Sequence, residues 1–132
     1  MKRLVLALPL LFGCSLSSPT SSSNNRVLYD TQSNTIINNV QYQIKDASYD
    51  NPILMLDLSI YNYTSEVVSF PATIFELTND EGSLDPTDAR ILDVEPRQAL
   101  KISLEYHPVQ PGEYTLYPHY YFLGDGAEIS IQ

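Results

Sequence analysis

From Leu54 to Ile60, and again from Leu100 to Tyr106, every second residue is apolar, and this alternation constrains the fold more than any other feature. Leu54, Leu56, Leu58 and Ile60 share one face of an extended chain. So do Leu100, Ile102, Leu104 and Tyr106, with Lys101, Ser103 and Glu105 opposite. A period of two marks a half-buried β-strand, whereas an amphipathic helix repeats near 3.6. Val40-Gln41-Tyr42-Gln43-Ile44-Lys45 alternates in the same way. Turn-forming residues separate such runs at Tyr49-Asp50-Asn51-Pro52, Asn79-Asp80-Glu81-Gly82, Gln110-Pro111-Gly112-Glu113 and Gly124-Asp125-Gly126. No apolar pattern of helical period runs long enough to support a helix. The reading predicts strands over 36–47, 53–63, 67–77, 90–94, 99–106, 113–123 and 127–131. Seven short strands in about a hundred residues predict an all-β fold, a single immunoglobulin-like antiparallel β-sandwich.

The first residues follow another logic. Lys2 and Arg3 precede an apolar run from Leu4 to Phe12, and the small Gly13 stands before Cys14. Such a run is too short to cross a hydrocarbon core of roughly 30 Å as a helix, so it reads as a secretion signal. Leu11-Phe12-Gly13-Cys14 resembles the lipobox of bacterial lipoprotein precursors. The resemblance implies that Cys14 becomes the new N-terminus and carries a diacylglycerol and an acylated amine, enough chains for a stable membrane anchor. By the sorting habit of the Gram-negative members of that class, Ser15 implies the outer membrane. In a Gram-positive cell the same anchor would leave the domain on the outer surface. Six serines among residues 15–25 predict a flexible tether, with ends roughly 15 to 20 Å apart. The expected organisation is a signal peptide over 1–13, lipidated Cys14 with its linker over 14–25, and a sandwich domain over 26–132.

Charge and cysteine count narrow the function. The chain has 16 Asp and Glu against 7 Lys and Arg, a formal charge of −9. Without Lys2 and Arg3, five basic residues remain against the same sixteen acidic ones, a charge of −11. Binding to phosphates relies on Lys and Arg displacing counterions, which argues against nucleic acid as a partner. Anionic headgroups repel such a domain, so the body is expected to stand off the membrane, held only by its lipid. A single cysteine excludes an internal disulfide, a thiolate zinc site and a CxxC redox pair. Asp80, Glu81, Asp85, Asp88, Asp93 and Glu95 crowd one segment, but they lack the regular spacing of a calcium loop and read as a solvated acidic surface. His107 and His119 are the two histidines, and neither lies in an HExxH or HxH pattern; GxSxG is absent. No nucleophile, base and orienting group stand together. The expectation is therefore a non-enzyme with no metal and no cofactor apart from the covalent lipid on Cys14.

The aromatic residues are the unusual feature: ten tyrosines, four phenylalanines and no tryptophan. Strand alternation groups Tyr114, Leu116, Pro118, Tyr120 and Phe122 on one face, and Thr115, Tyr117, His119 and Tyr121 on the other. With the first set in the core, Tyr117, His119 and Tyr121 form an outward ladder, beside which Tyr61 and Tyr63 are expected. Tyrosine combines a large contact area with a polar tip, so such a ladder suits recognition of a protein, peptide or glycan. It equally suits cross-strand pairs that only stabilise the sheet. Pro118, which cannot donate to a central ladder, predicts an edge strand or a bulge.

The body also resembles the small immunoglobulin-like domains of secreted bacterial lipoproteins and, in a related form, of a bacterial intracellular proteinase inhibitor. The residues that carry this are Asn62 with Thr64, Phe70, Phe75, Glu81-Gly82, Glu95-Pro96 before the Leu100 to Tyr106 run, and Val109-Gln110-Pro111-Gly112. The resemblance implies a binding or scaffolding module. The functional expectation is a membrane-anchored envelope lipoprotein that binds an envelope protein as an accessory or assembly factor. Two alternatives stand beside it: an inhibitor of a protease or hydrolase acting through loops 79–88 and 107–113, and a glycan-binding or enzymatic module using the tyrosine face.

Overall fold

A computed structural model describes residues 25–118 and 126–132. Within them lie eleven short strands: Val27–Tyr29 (β1), Asn34–Ile37 (β2), Val40–Asp50 (β3), Ile53–Asn62 (β4), Val68–Pro71 (β5), Phe75–Asn79 (β6), Gly82–Leu84 (β7), Ile91–Val94 (β8), Ala99–Tyr106 (β9), Gly112–Pro118 (β10) and Ala127–Ile131 (β11). One 3-10 turn, Ala72–Ile74, precedes β6. The strands form a five-stranded sheet in the order β1-β11-β10-β6-β7, a four-stranded sheet in the order β2-β3-β4-β9, and a two-stranded ribbon of β5 and β8. Every pairing is antiparallel. With β3, β4 and β9 on one side and β6, β10 and β11 on the other, the order is that of an immunoglobulin-like sandwich.

The two sheets meet over one apolar core. Leu54, Leu56, Leu58 and Ile60 of β4 face Phe75, Leu77, Leu116, Ile129 and Ile131 of the other sheet, and all are buried. Phe70, Leu92 and Val94 of the ribbon close one side of this core. Three tyrosines tie the layers with their hydroxyls. Tyr42 donates to the carbonyl of Leu116 at 3.2 Å, Tyr106 to that of Phe75 at 2.8 Å and Tyr49 to that of Val109 at 2.6 Å. The Tyr42 and Phe75 rings meet edge to face with centroids 5.4 Å apart, the arrangement the ring quadrupoles prefer.

The strand over 36–47 is in fact a hairpin and a longer strand. Asn38 and Asn39 turn the chain between Ile37 and Val40, with Asn39 at φ 62°, a left-handed conformation that asparagine tolerates well. The chain then continues to Asp50 because a bulge at Lys45 changes which face is buried. Val40, Tyr42 and Ile44 point inward before it, and Tyr49 after it. The strand over 67–77 is likewise two strands. Phe70, Ala72 and Ile74 are buried at even positions and Phe75 and Leu77 at odd ones, and the 3-10 turn absorbs the change of phase as the chain crosses from the ribbon to the five-stranded sheet.

Pro118 does not mark an edge. β10 lies inside its sheet, between β11 and β6, and Pro118, the last described residue of the strand, stands opposite Phe75.

Candidate functional site

Strand directions give the sandwich two distinct ends. Asn25 and Arg26, where the serine-rich segment joins the domain, hydrogen-bond to Gln132 beside Gly112. The turns at 51–52, 80–81 and 107–111 lie at this end, where the Val109 N–H donates to the Pro52 carbonyl. β4 runs from there to Asn62, and ten residues at about 3.3 Å each put its far end roughly 30 Å away.

At that far end Asn62 is fully buried, the one buried polar side chain among the described residues. Burial of an amide is costly unless its donors and acceptor are satisfied, and here they are. Its NH2 donates to the carbonyls of Glu66 at 2.7 Å and Val94 at 2.9 Å, and its Oδ1 accepts from the Thr64 N–H and hydroxyl. Its own backbone pairs with Gln98 and Arg97. Asn62 thus ties β4, the 63–67 loop, the end of β8 and the 95–98 turn. In that turn Pro96 occupies the second position and Arg97, at φ 58°, the third, where a positive φ is required.

Tyr61 and Tyr63 flank this knot. Their ring centroids are 4.4 Å apart with planes tilted by 48°. The Tyr61 hydroxyl donates to the Arg97 carbonyl at 2.9 Å and the Tyr63 N–H to the Asn39 carbonyl at 2.7 Å, so the pair is held by both its side chain and its backbone. Tyr63 is 51% exposed, and Val67 on the same loop 49%. Val67 and Arg97 were missed from the sequence; the Glu95-Pro96 step was the available signal for the turn that presents Arg97.

The expected ladder does not include this pair. Tyr117 lies on β10 opposite Glu76, in the five-stranded sheet, whereas Tyr61 lies on the outer side of the four-stranded sheet. The two surfaces are on opposite sides of the sandwich. Tyr117 is half-buried, and its ring packs near Gly126, whose added Cβ would sit 3.4 Å from it. Leu116 and Pro118 are buried and Tyr114 packs on the core. The Tyr114 hydroxyl donates to the Gln110 carbonyl at 2.6 Å, the corner contact of immunoglobulin-like folds. His119 and Tyr121 lie outside the described residues, as does Cys14.

The loops named as the alternative site do come together. Asn79, Glu81, Gly82, Ser83 and Leu84 face Pro108, Val109, Gln110 and Tyr114 across a crevice of about 320 Å³, at the end where the tether joins. In the acidic segment Asp88 pairs with Arg90 at 2.9 Å and Asp93 accepts from the Ser69 hydroxyl at 2.5 Å. Among the described residues no three His, Cys, Asp or Glu converge on a metal-sized site, and no helix is long and apolar enough to cross a membrane.

The sequence matches no family model and no curated protein. Among solved structures it is similar to a candidate lipoprotein (ycdA) of Bacillus subtilis subsp. subtilis str. 168, with a TM-score of 0.53 and 17% identity. The match covers 85% of this chain and 39% of that one, so this chain spans well under half the length of that protein. At this identity the similarity is one of fold.

Proposed function

We propose that this chain is a lipid-anchored envelope protein whose sandwich is a non-catalytic module for binding another protein at the end away from its anchor. The lipobox-like run Leu11-Phe12-Gly13-Cys14 supports the anchor, and so does the fold shared with a candidate lipoprotein of Bacillus subtilis. The carrying observation for the binding end is the exposed, rigidly held Tyr61–Tyr63 pair beside Val67, about the length of β4 from the point where the tether enters. Tyrosine, arginine and apolar side chains are enriched where interfaces draw most of their energy. The same placement weighs against the inhibitor reading, because loops 79–84 and 108–114 lie at the end where the tether enters, the end nearer the proposed anchor. Photo-crosslinking in intact cells tests the proposal, with a reactive group at Tyr63 and, separately, at Ser83. Discrete protein adducts from Tyr63 support it; adducts from Ser83 alone would move the site to the loops near the membrane.

A further inference from the structure

The four-stranded sheet turns one face to the core and the other outward. On the outer face β4 presents Met55, Asp57, Ser59 and Tyr61, because the residues between them are buried. The ladders set Asp57 beside Ser103 and Ser59 beside Lys101 on β9, and Ser59 and Tyr61 beside Gln43 and Gln41 on β3. Between Met55 and Tyr61, β4 therefore turns no apolar side chain outward.

A shallow depression of about 320 Å³ opens on this face, lined by Lys45, Asp57, Lys101 and Ser103 over the backbone of Leu58 and Ile102. Lys45 reaches it as the extra residue of the β3 bulge. The Ser103 hydroxyl donates to Asp57 Oδ1 at 2.6 Å, which orients the carboxylate and leaves Oδ2 as an acceptor. Lys45 Nζ donates to Gln43 Oε1 at 3.4 Å, and neither lysine makes an ion pair among the described residues.

This set of groups favours no ion. A cation meets two ammonium groups, and an anion meets Asp57 on an already acidic domain. A protein interface would place apolar side chains at its centre. A sugar hydroxyl both donates and accepts, so it can accept from a lysine while it donates to Asp57. Roughly 13 Å along β4 from Asp57 stands Tyr61. Its hydroxyl is held by the Arg97 carbonyl and its ring meets that of Tyr63, so it offers a fixed surface for the C–H face of a pyranose.

We propose that this outer sheet face binds a neutral, β-linked glycan of gluco-configured sugars, its hydroxyls on Lys45, Asp57 and Lys101 and one ring on Tyr61. Gluco-configured rings hold their hydroxyls equatorially, which leaves C–H surface on both ring faces for stacking. The β-linkage keeps such a chain straight enough to follow the strands. This inference goes beyond the protein-binding reading and does not depend on it.

The test uses the isotope-labelled full chain in a sugar-free detergent, titrated with cellopentaose and, separately, with chitopentaose, and read by amide chemical shifts. At least one of the two should move the amides of Ser59, Lys101 and Ser103 and saturate below about 10 mM. Asp57→Ala and Lys101→Ala should each weaken binding about fivefold or more at an unchanged melting temperature. Tyr61→Phe, which keeps the ring, should change it less than twofold. Pentagalacturonate, an acidic oligosaccharide, should leave the amides unmoved. Amides that ignore both neutral sugars, amides that respond to the acidic one alone, or binding that survives both alanine substitutions overturns the proposal. If Tyr63 crosslinks a protein while these amides ignore both sugars, the protein-binding reading stands and this inference fails.

Discussion

Among the described residues six tyrosine hydroxyls donate to backbone carbonyls, from Tyr29 to Lys45, Tyr42 to Leu116, Tyr49 to Val109, Tyr61 to Arg97, Tyr106 to Phe75 and Tyr114 to Gln110. Each ring fills apolar space while its tip satisfies a carbonyl, so the value of the bond depends on burial. Tyr106→Phe leaves a buried carbonyl unpaired and should cost about 1 to 2 kcal/mol in urea unfolding, whereas Tyr61→Phe, at a wetter site, should cost less than about 0.5. Asn62→Ala strips four bonds at once and should cost about 3 kcal/mol or more by the same measurement. Burial, with Asp30 as a lesser cause, holds the Tyr42 phenol well above its usual value of 10, and burial does the same at Tyr106. Below pH about 10 folded and unfolded chains both keep these protons. Above it the unfolded chain loses them and the folded chain does not, so stability falls with rising pH by up to about 1.4 kcal/mol per unit for each ring. Urea midpoints between pH 9 and 11.5 should show this decline, and Tyr106→Phe should make it shallower.

Single strands with unbroken alternation, β4 and β9 above all, were legible from the sequence because apolar period and burial coincide along their whole length. β3 and the β5 to β6 segment were legible only in part, because a bulge and a 3-10 turn shift the buried phase midway and make one strand look shorter or two look like one. β1 and β7 are three residues each, too short for a period to register. The candidate site was harder still. Alternation tells which residues share a face of one strand, not which strands share a sheet, and so it could not separate Tyr117 from Tyr61. The bulge offers a direct check. Lys45 is the extra residue, so its deletion should leave Ala47 and Tyr49 opposite Leu56 and Leu54 and keep the Tyr49 to Val109 bond, whereas deleting Gln43 from the regular ladder should turn Ile44 outward and Lys45 inward and lower the melting temperature by about 10 °C or more, at about 2 kcal/mol or more. Gly126 is a second check: at φ 73°, an added Cβ would lie 2.7 Å from the Leu116 carbonyl oxygen and 2.9 Å from the Thr115 methyl. Gly126→Ala should therefore also lower the melting temperature, and by more than the strain of a positive φ alone.

For the whole molecule, the proposed anchor and the proposed binding end are separable. Cys14→Ala should shift the protein from membrane to soluble fractions, and mass spectrometry of the parent should find an acylated cysteine; an unmodified Cys14 in membrane-bound protein would sink the anchor. The released variant should melt at the temperature of the parent, because the described core draws on no residue before Val27. The Asn62 knot has one more consequence, for making the protein. Asn62-Tyr63-Thr64 fits the Asn-x-Thr acceptor pattern of eukaryotic N-glycosylation. In the finished fold this amide is out of reach, since its nitrogen already serves two carbonyls. In a eukaryotic secretory pathway, however, the unfolded chain meets the transferase first, and a sugar attached there could not be accommodated in the interior. Folding and glycan transfer would compete for one nitrogen atom, and each molecule that lost the race would be trapped unfolded.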